Sequence, residues 1–136
     1  MFASAGAKVT LCARRDAQAR EVAAITGADT GTWPPAAGSW DVLVNATPVG
    51  TRPNADRSPL PDGHPLDGKL VYDLVYNPSE TRLLVEARRQ GCRTIGGLDM
   101  LVAQAQAQFE WWTERRPADR VMRDAATARL SEMEQR

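Results

Sequence analysis

A glycine, a methionine and a glutamine at helical spacing form the strongest chemical group in this chain. Met100 follows Gly97 by three residues, and Gln104 lies four residues further on, so Met100 and Gln104 share one face of a helix. A glycine lets backbone approach a flat ring, a thioether packs on aromatic surfaces, and an amide both donates and accepts hydrogen bonds. The alternative is an ordinary amphipathic helix with Met100 in the core, and spacing alone does not exclude it.

Two arginines could bind a phosphate group. Arg14 and Arg15 directly follow the apolar run 8–13. In dinucleotide-binding folds an acidic residue at such a strand end binds the ribose 2′-hydroxyl of NAD, whereas an arginine accepts the 2′-phosphate of NADP. A guanidinium suits phosphate because it donates two parallel hydrogen bonds. The alternative is a solvated pair in a chain whose basic residues are nearly all arginine.

A polar run at the end of another predicted strand could line a cofactor cleft. The run Asn45-Ala46-Thr47-Pro48-Val49-Gly50 turns sharply where the strand ends, which would expose the Asn45 amide and the Thr47 hydroxyl. The alternative is a loop shaped by proline and glycine, in which Asn45 bonds its own backbone.

The run 72–76 alternates across a strand. Tyr72, Leu74 and Tyr76 point one way, and Asp73 and Val75 point the other way. Tyr76, at the strand end, offers a hydroxyl to a polyol, although an isolated tyrosine there is more often a packing residue. Asp73 needs partners if it is buried and could cap a neighbouring turn.

Strand and helix patterns alternate along the chain. Strands are predicted at 8–13, 41–45, 70–75 and 93–95, and helices at about 17–25, 81–90, 98–113 and 118–133. Asp16 is expected to cap the first of these helices, the last turn of another is expected to end near Gly6, and 30–40 and 49–68 are expected to be turns and loops. The alternation predicts an α/β fold with a parallel sheet and flanking helices. Ligands bind beyond the C-terminal strand ends of such sheets.

Composition excludes several classes of function. The net charge is zero, so there is no overall attraction to nucleic acid or anionic membranes, and no apolar run approaches the roughly 20 residues of a membrane span. Cys12 and Cys92 lack a nearby cysteine or histidine at ligand spacing, which predicts free thiols and no metal site. A cytoplasmic location is expected because the N-terminus lacks the regions of a signal peptide.

Two aromatic features are assigned structural roles. His64 lies in a loop rich in proline and glycine, with no nucleophile or carboxylate constellation around it, and is expected to be solvent-exposed. Of Trp111 and Trp112, one indole is expected in the core and the other at a surface, where a second domain could contact it.

Taken together, the runs 45–50, 72–78 and 97–104 resemble the C-terminal, NADP-binding half of shikimate dehydrogenase. The resemblance extends from about Gly6 to about Ala126. It implies a Rossmann-like parallel sheet whose first strand and glycine-rich phosphate loop would precede residue 1. It also implies a partial NADP-binding domain with C-terminal helices at 1–126 and a charged tail at 127–136.

The resemblance implies an activity and individual roles. The family uses NADPH to reduce 3-dehydroshikimate to shikimate, on the route through chorismate to aromatic amino acids. The implied NADP-binding residues are Arg14, Arg15, Asn45, Thr47, Leu74 through its backbone, Gly97 and Met100, and the implied shikimate contacts are Tyr76 and Gln104. The chain departs from the family pattern where Ala13 replaces an asparagine, Gln18 a basic residue and Gly96 an aspartate.

No catalytic residue is assigned within this chain. The family's proton-handling lysine and aspartate belong to an N-terminal substrate domain, and Lys8 and Lys69 do not take their place, so the chain alone is expected to be inactive. A quinate-using relative and a fusion with a dehydroquinate dehydratase remain open as the parent enzyme. The rival hypothesis is a non-catalytic module that binds a nucleotide or forms a homodimer through an exposed sheet edge.

Overall fold

The computed structural model describes residues 3–118 and 120–134, apart from the side chain of residue 134. The chain divides into two compact units, Met1–Ser39 and Trp40–Arg136. Each unit contains a parallel sheet whose strands are separated along the chain by helix or loop. The predicted α/β class with parallel strands is therefore confirmed.

The first unit is built on two strands and one helix. After a short 3₁₀ turn (Ala3–Ala5) come β1 (Thr10–Cys12), α1 (Asp16–Thr26) and β2 (Asp29–Gly31). β1 and β2 pair in parallel, with Thr10 opposite Asp29. Gly6 and Gly27 end the turn and the helix in the left-handed conformation, which glycine adopts without steric cost.

Two predictions for the first unit are wrong. Asp16 does not cap α1: it is the first helical residue, and the cap position belongs to Arg15, whose side chain makes no capping hydrogen bond. The turn-rich segment 30–40 begins inside β2. That strand exists because the Asp29 amide donates to the Val9 carbonyl at 2.9 Å and the segment then pairs with β1, a tertiary contact that local sequence does not reveal.

The second unit contains a three-stranded parallel sheet in the order β3–β4–β5. Its elements are β3 (Val42–Asn45), β4 (Leu70–Asp73), α2 (Arg82–Arg89), β5 (Arg93–Ile95), α3 (Gly97–Thr113) and α4 (Val121–Glu134). The register places Asn45 opposite Asp73, so the polar ends of β3 and β4 lie side by side. α4 begins at Val121 rather than at residue 118, after Arg120 with a positive φ of 74°, and it runs through the described part of the predicted tail.

The core of the second unit follows the predicted pattern on α2. Leu83, Leu84 and Ala87 are buried on one face of this helix, as their spacing predicts. The Thr81 hydroxyl caps α2 by accepting a hydrogen bond from the Leu84 amide at 3.3 Å, and Gly91 follows its C-terminus with a φ of 89°.

The loop 49–68 is more firmly held than its composition indicates. Gln90, at the end of α2, accepts from the Leu66 amide at 2.9 Å and donates to the His64 carbonyl at 3.3 Å. His64 is consequently half-buried rather than solvent-exposed, which corrects the prediction. Its Nε2 is buried and has no hydrogen-bond partner among the described residues.

The prediction that one indole of Trp111 and Trp112 lies in the core is also wrong. Both side chains are exposed, at 80% and 71%. The buried residues of α3 are Gly97 and Val102, which lie in its first half, so the last turn carries the indoles beyond the packed part of the helix. In the described residues no helix is long and apolar enough to cross a membrane.

Candidate functional site

A buried carboxylate organises the C-terminal ends of β3 and β4. Asp73 is fully buried, and its Oδ1 accepts from the Asn45 amide at 2.9 Å and from the Val75 backbone amide at 3.0 Å. Its Oδ2 accepts from the Thr81 hydroxyl at 2.6 Å. A buried carboxylate needs hydrogen-bond partners, and these bonds supply them for Asp73. They also tie both strand ends to the start of α2.

Asn45 shapes the loop that follows β3. Its amide nitrogen donates to Asp73 and to the Val49 carbonyl, and its oxygen accepts from the backbone amide of Thr47 at 3.0 Å and from the Thr47 hydroxyl at 2.7 Å. An asparagine side chain has capacity for about four such bonds, so that of Asn45 is filled. Thr47 is exposed and its hydroxyl also accepts from the Val49 amide. Asn45 therefore bonds the backbone of its own loop, which is the structural role that the sequence left open for it.

The alternation predicted for 72–76 is observed. Asp73 and Val75 are buried, Tyr72 and Leu74 are half-buried, and the Tyr76 side chain is 42% exposed beyond the end of β4. No hydrogen bond within the described part of the chain engages the Tyr76 hydroxyl, so it is available to a ligand.

Gly97 lies directly against the end of β4. Its amide donates to the Val75 carbonyl at 3.2 Å. A Cβ at this position would come within 2.5 Å of the Val75 oxygen and would also clash with the Leu74 carbonyl. The glycine is therefore required by the backbone of its own fold, which starts α3 at the C-terminal edge of the sheet.

Met100 and Gln104 are placed by α3 as predicted. Both lie in the first half of the helix that Gly97 begins. Met100 is half-buried, Gln104 is exposed, and no hydrogen bond among the described residues engages the Gln104 amide. The β4–α3 junction thus joins the backbone of Leu74 and Val75 to Gly97, with Tyr76 following β4 and Met100 and Gln104 following Gly97 along α3.

The first turn of α3 also carries a charge that sequence reasoning did not assign. Asp99 pairs with Arg123 of α4 at 2.7 Å. Burial raises the pKa of the Tyr72 hydroxyl, and the Asp99 carboxylate raises that pKa further. The sequence signals the Asp99–Arg123 pair only by an acidic residue between Gly97 and Met100, because the basic partner lies more than twenty residues further along the chain.

Arg14 and Arg15 belong to the first unit and form a separate basic feature. Both are exposed, between the end of β1 and the N-terminus of α1, and no ion pair of the described residues engages either guanidinium. The Arg15 carbonyl accepts from the amides of Gln18 and Ala19. Two free cations beside a helix N-terminus favour an anion.

Two shallow concavities lie on the described surface. A hollow of about 300 Å³ in the first unit is lined by Asp16, Ala19, Arg20, Thr30, Gly31 and Thr32. A second hollow of about 300 Å³ lies in the second unit along the loop after β3, from Pro48 to Arg52, with Asn54 and Arg57. Neither is lined by the residues of the β4–α3 junction.

Comparison with known proteins gives the same family from sequence. The family model described as "Shikimate 5'-dehydrogenase C-terminal domain" matches residues 97–127. The NADP(+) shikimate dehydrogenase of Moorella thermoacetica is 48% identical over 92 residues, which are 65% of this chain and 31% of that protein. The enzyme of Chlorobaculum tepidum is 52% identical over 92 residues, 64% of this chain and 31% of that protein. Over these residues the chain matches the C-terminal part of shikimate dehydrogenases.

Solved structures of similar proteins superpose on most of the chain. Shikimate 5-dehydrogenase from Thermus thermophilus, solved with NADP(H) and shikimate, aligns with a TM-score of 0.82 and 35% identity over 93% of this chain and 48% of that one. A 5-ketofructose reductase of a Gluconobacter strain aligns with a TM-score of 0.72 and 30% identity, over 90% of this chain and 47% of that one. The chain spans about a third of the length of the curated relatives and about half of the solved ones.

Proposed function

We propose that this chain is the cofactor-binding part of an NADP-dependent shikimate dehydrogenase, which reduces 3-dehydroshikimate to shikimate in the complete enzyme. The observation that carries the proposal is the β4–α3 junction, where Gly97 packs against the Leu74 and Val75 carbonyls and begins the helix that carries Met100 and Gln104. The relatives, named as NADP(+) shikimate dehydrogenases, support the same assignment.

In this proposal the cofactor contacts are the residues that the family motifs indicate. Arg14 and Arg15 bind the 2′-phosphate, since their guanidinium groups are exposed and free of ion pairs in the described residues. Met100 packs its thioether on the nicotinamide, while Gly97 and the Leu74 backbone contact its edge. Asn45 and Thr47 contribute through the loop that their mutual hydrogen bonds shape.

The proposed substrate contacts are Tyr76 and Gln104. A polyol carboxylate needs both donors and acceptors, which a phenol and an amide supply. Both side chains are exposed and carry no hydrogen bond among the described residues. Quinate and shikimate are similar enough that Tyr76 and Gln104 would contact either one. The substrate is therefore assigned from the curated relatives, which are named shikimate dehydrogenases. It is not assigned from the structural neighbour named 5-ketofructose reductase.

The lysines of this chain do not supply the catalytic proton donor. Lys8 pairs with Asp29 at 3.6 Å and Lys69 pairs with Asp41 at 2.8 Å, and all four side chains are well exposed. We therefore expect no reduction of 3-dehydroshikimate by the 136-residue chain.

An activity assay with a fusion tests this function. The chain is joined to the N-terminal part of the Thermus enzyme that the superposition leaves unmatched, and NADPH oxidation is followed with 3-dehydroshikimate. We expect activity from the fusion, none from the chain alone, and a large loss in the fusion on Gln104→Ala. Activity of the chain alone, or a folded fusion that binds NADPH and shikimate but transfers no hydride, would contradict the proposal.

A second candidate, a dimerising module without catalysis, is favoured by one observation. Among the described residues β3 pairs only with β4, and Val42 on it is 46% exposed, so a second strand could add to this edge. Sedimentation of the chain with and without NADP+ distinguishes the candidates. A stable dimer with no affinity for NADP+ favours this module, whereas a monomer that binds NADP+ favours the dehydrogenase. The expected cytoplasmic location belongs to either proposal.

A further inference from the structure

One ion pair joins the cofactor-contacting turn of α3 to α4. The Arg123 guanidinium lies 2.7 Å from Asp99 Oδ1, and the two side chains are 45% and 51% exposed. Asp99 lies in the first turn of α3, between Gly97 and Met100. The pair therefore places one negative and one positive charge at the turn that the proposed function assigns to the nicotinamide.

The charge of Asp99 reaches the neighbouring strand. The pKa of Tyr72 is raised first by burial and then by the Asp99 carboxylate. Tyr72 is on the same side of β4 as Leu74 and Tyr76, the residues that line the β4–α3 junction. An unneutralised Asp99 would thus impose a negative potential on the surface where the nicotinamide is expected.

Such a potential would act differently on the two forms of the cofactor. The oxidised nicotinamide ring carries a positive charge and the reduced ring carries none. A nearby carboxylate consequently attracts the oxidised form and leaves the reduced form nearly unaffected. An enzyme that releases one form and binds the other in every cycle benefits from a junction that is electrically balanced.

We propose that Arg123 is a positioning residue that neutralises part of the Asp99 charge, so that the first turn of α3 favours the oxidised over the reduced cofactor less than an unpaired Asp99 would. The neutralisation is a property of the ion pair itself, whereas its consequence for the cofactor rests on the proposed function. The two parts are tested by separate measurements.

The first measurement needs no cofactor. The chain has two tyrosines, so Tyr76→Phe leaves Tyr72 as its sole phenol, and tyrosinate absorbance then reports that group alone. In this background we expect Arg123→Gln to move the midpoint of the Tyr72 titration to higher pH, and Asp99→Asn combined with Arg123→Gln to move it back. The matched control is Arg129→Gln, which breaks the Arg129–Glu132 pair on the same helix and leaves the midpoint unchanged.

The second measurement compares the two cofactor forms by calorimetry, in variants that keep Tyr76. We expect Arg123→Gln to tighten NADP+ relative to NADPH by about twofold to tenfold, because an exposed carboxylate is partly screened by solvent. Asp99→Asn combined with Arg123→Gln should restore the original ratio. A purely structural loosening of α4 would weaken both forms alike and leave their ratio unchanged.

Each result has one consequence. An unchanged Tyr72 midpoint in Arg123→Gln overturns the neutralisation, and an unchanged ratio between two bound cofactor forms overturns its role in cofactor discrimination. If the midpoint moves as expected but no variant binds either form, the neutralisation stands and the proposed function fails.

Discussion

Gly97 and Val75 join the start of α3 to the end of β4 through their backbones. The Gly97 amide donates to the Val75 carbonyl at 3.2 Å, and a Cβ on Gly97 would lie only 2.5 Å from the same oxygen. The approach of the helix to the strand is thereby fixed. A side chain that moved the two apart would move Met100 and Gln104 relative to Tyr76.

Gly97→Ala is expected to destabilise the protein by at least about 2 kcal/mol, because its methyl group overlaps backbone that cannot rotate away. Gly96→Ala is the matched control: its Cβ would lie 3.6 Å from Leu84 Cδ1 and 3.7 Å from the Ser79 carbonyl, ordinary contact distances. Its cost should stay below about 1 kcal/mol. Urea unfolding of both variants measures the difference, and equal costs would refute the steric argument.

Thr81→Val is expected to cost about 2–4 kcal/mol of folding free energy, because it removes the donor to buried Asp73 and the cap of α2 together. Thr81→Ser keeps the hydroxyl and should lose much less. Chemical denaturation of the two variants checks the prediction. A serine variant as unstable as the valine variant would contradict the prediction, because serine keeps the hydroxyl that both hydrogen bonds need.

The protein should lose stability at alkaline pH through Cys92. Burial raises the pKa of this thiol above its ordinary value of 9.0, with a further contribution from Asp67. The folded state then holds a proton that the unfolded state releases, so the contribution is complete below pH 9.0 and is lost as the pH rises through the folded-state pKa. The expected slope is at most about 1.4 kcal/mol per pH unit.

Unfolding free energies measured between about pH 8 and about pH 10 test this assignment. Cys92→Ala should flatten the decline. Cys12→Ala is the comparison variant, since burial also raises the pKa of Cys12 but its side chain is only half-buried. A Cys92→Ala protein that keeps the full decline would remove Cys92 from this account.

The parts of the fold that local sequence encodes were predictable. The bounds of α2 follow from a threonine cap, apolar residues at helical spacing and Gly91 at the stop. β2 was not predictable, because its three residues become a strand only through pairing with β1. The exposure of Trp111 likewise depends on which part of α3 is packed.

In the candidate site, too, local features were predictable from sequence and tertiary contacts were not. Sequence indicates that a buried Asp73 needs partners, but the identity of Thr81 as one of them depends on how the chain returns after β4. Gly97 was singled out for close approach to a ligand ring, and the structure adds a requirement from the β4 backbone. The Asp99–Arg123 pair joins residues that share no local pattern.

The central claim, that this chain binds NADP through Arg14 and Arg15, is tested most directly by calorimetric titration with NADP+ and NAD+. We expect NADP+ to bind at least about tenfold more tightly, because paired guanidinium groups hold the 2′-phosphate. Arg14→Ala combined with Arg15→Ala should abolish that preference while leaving NAD+ affinity nearly unchanged, and Arg20→Ala should preserve it. Equal affinity of the native chain for both cofactors, or no binding of NADP+, would contradict the account.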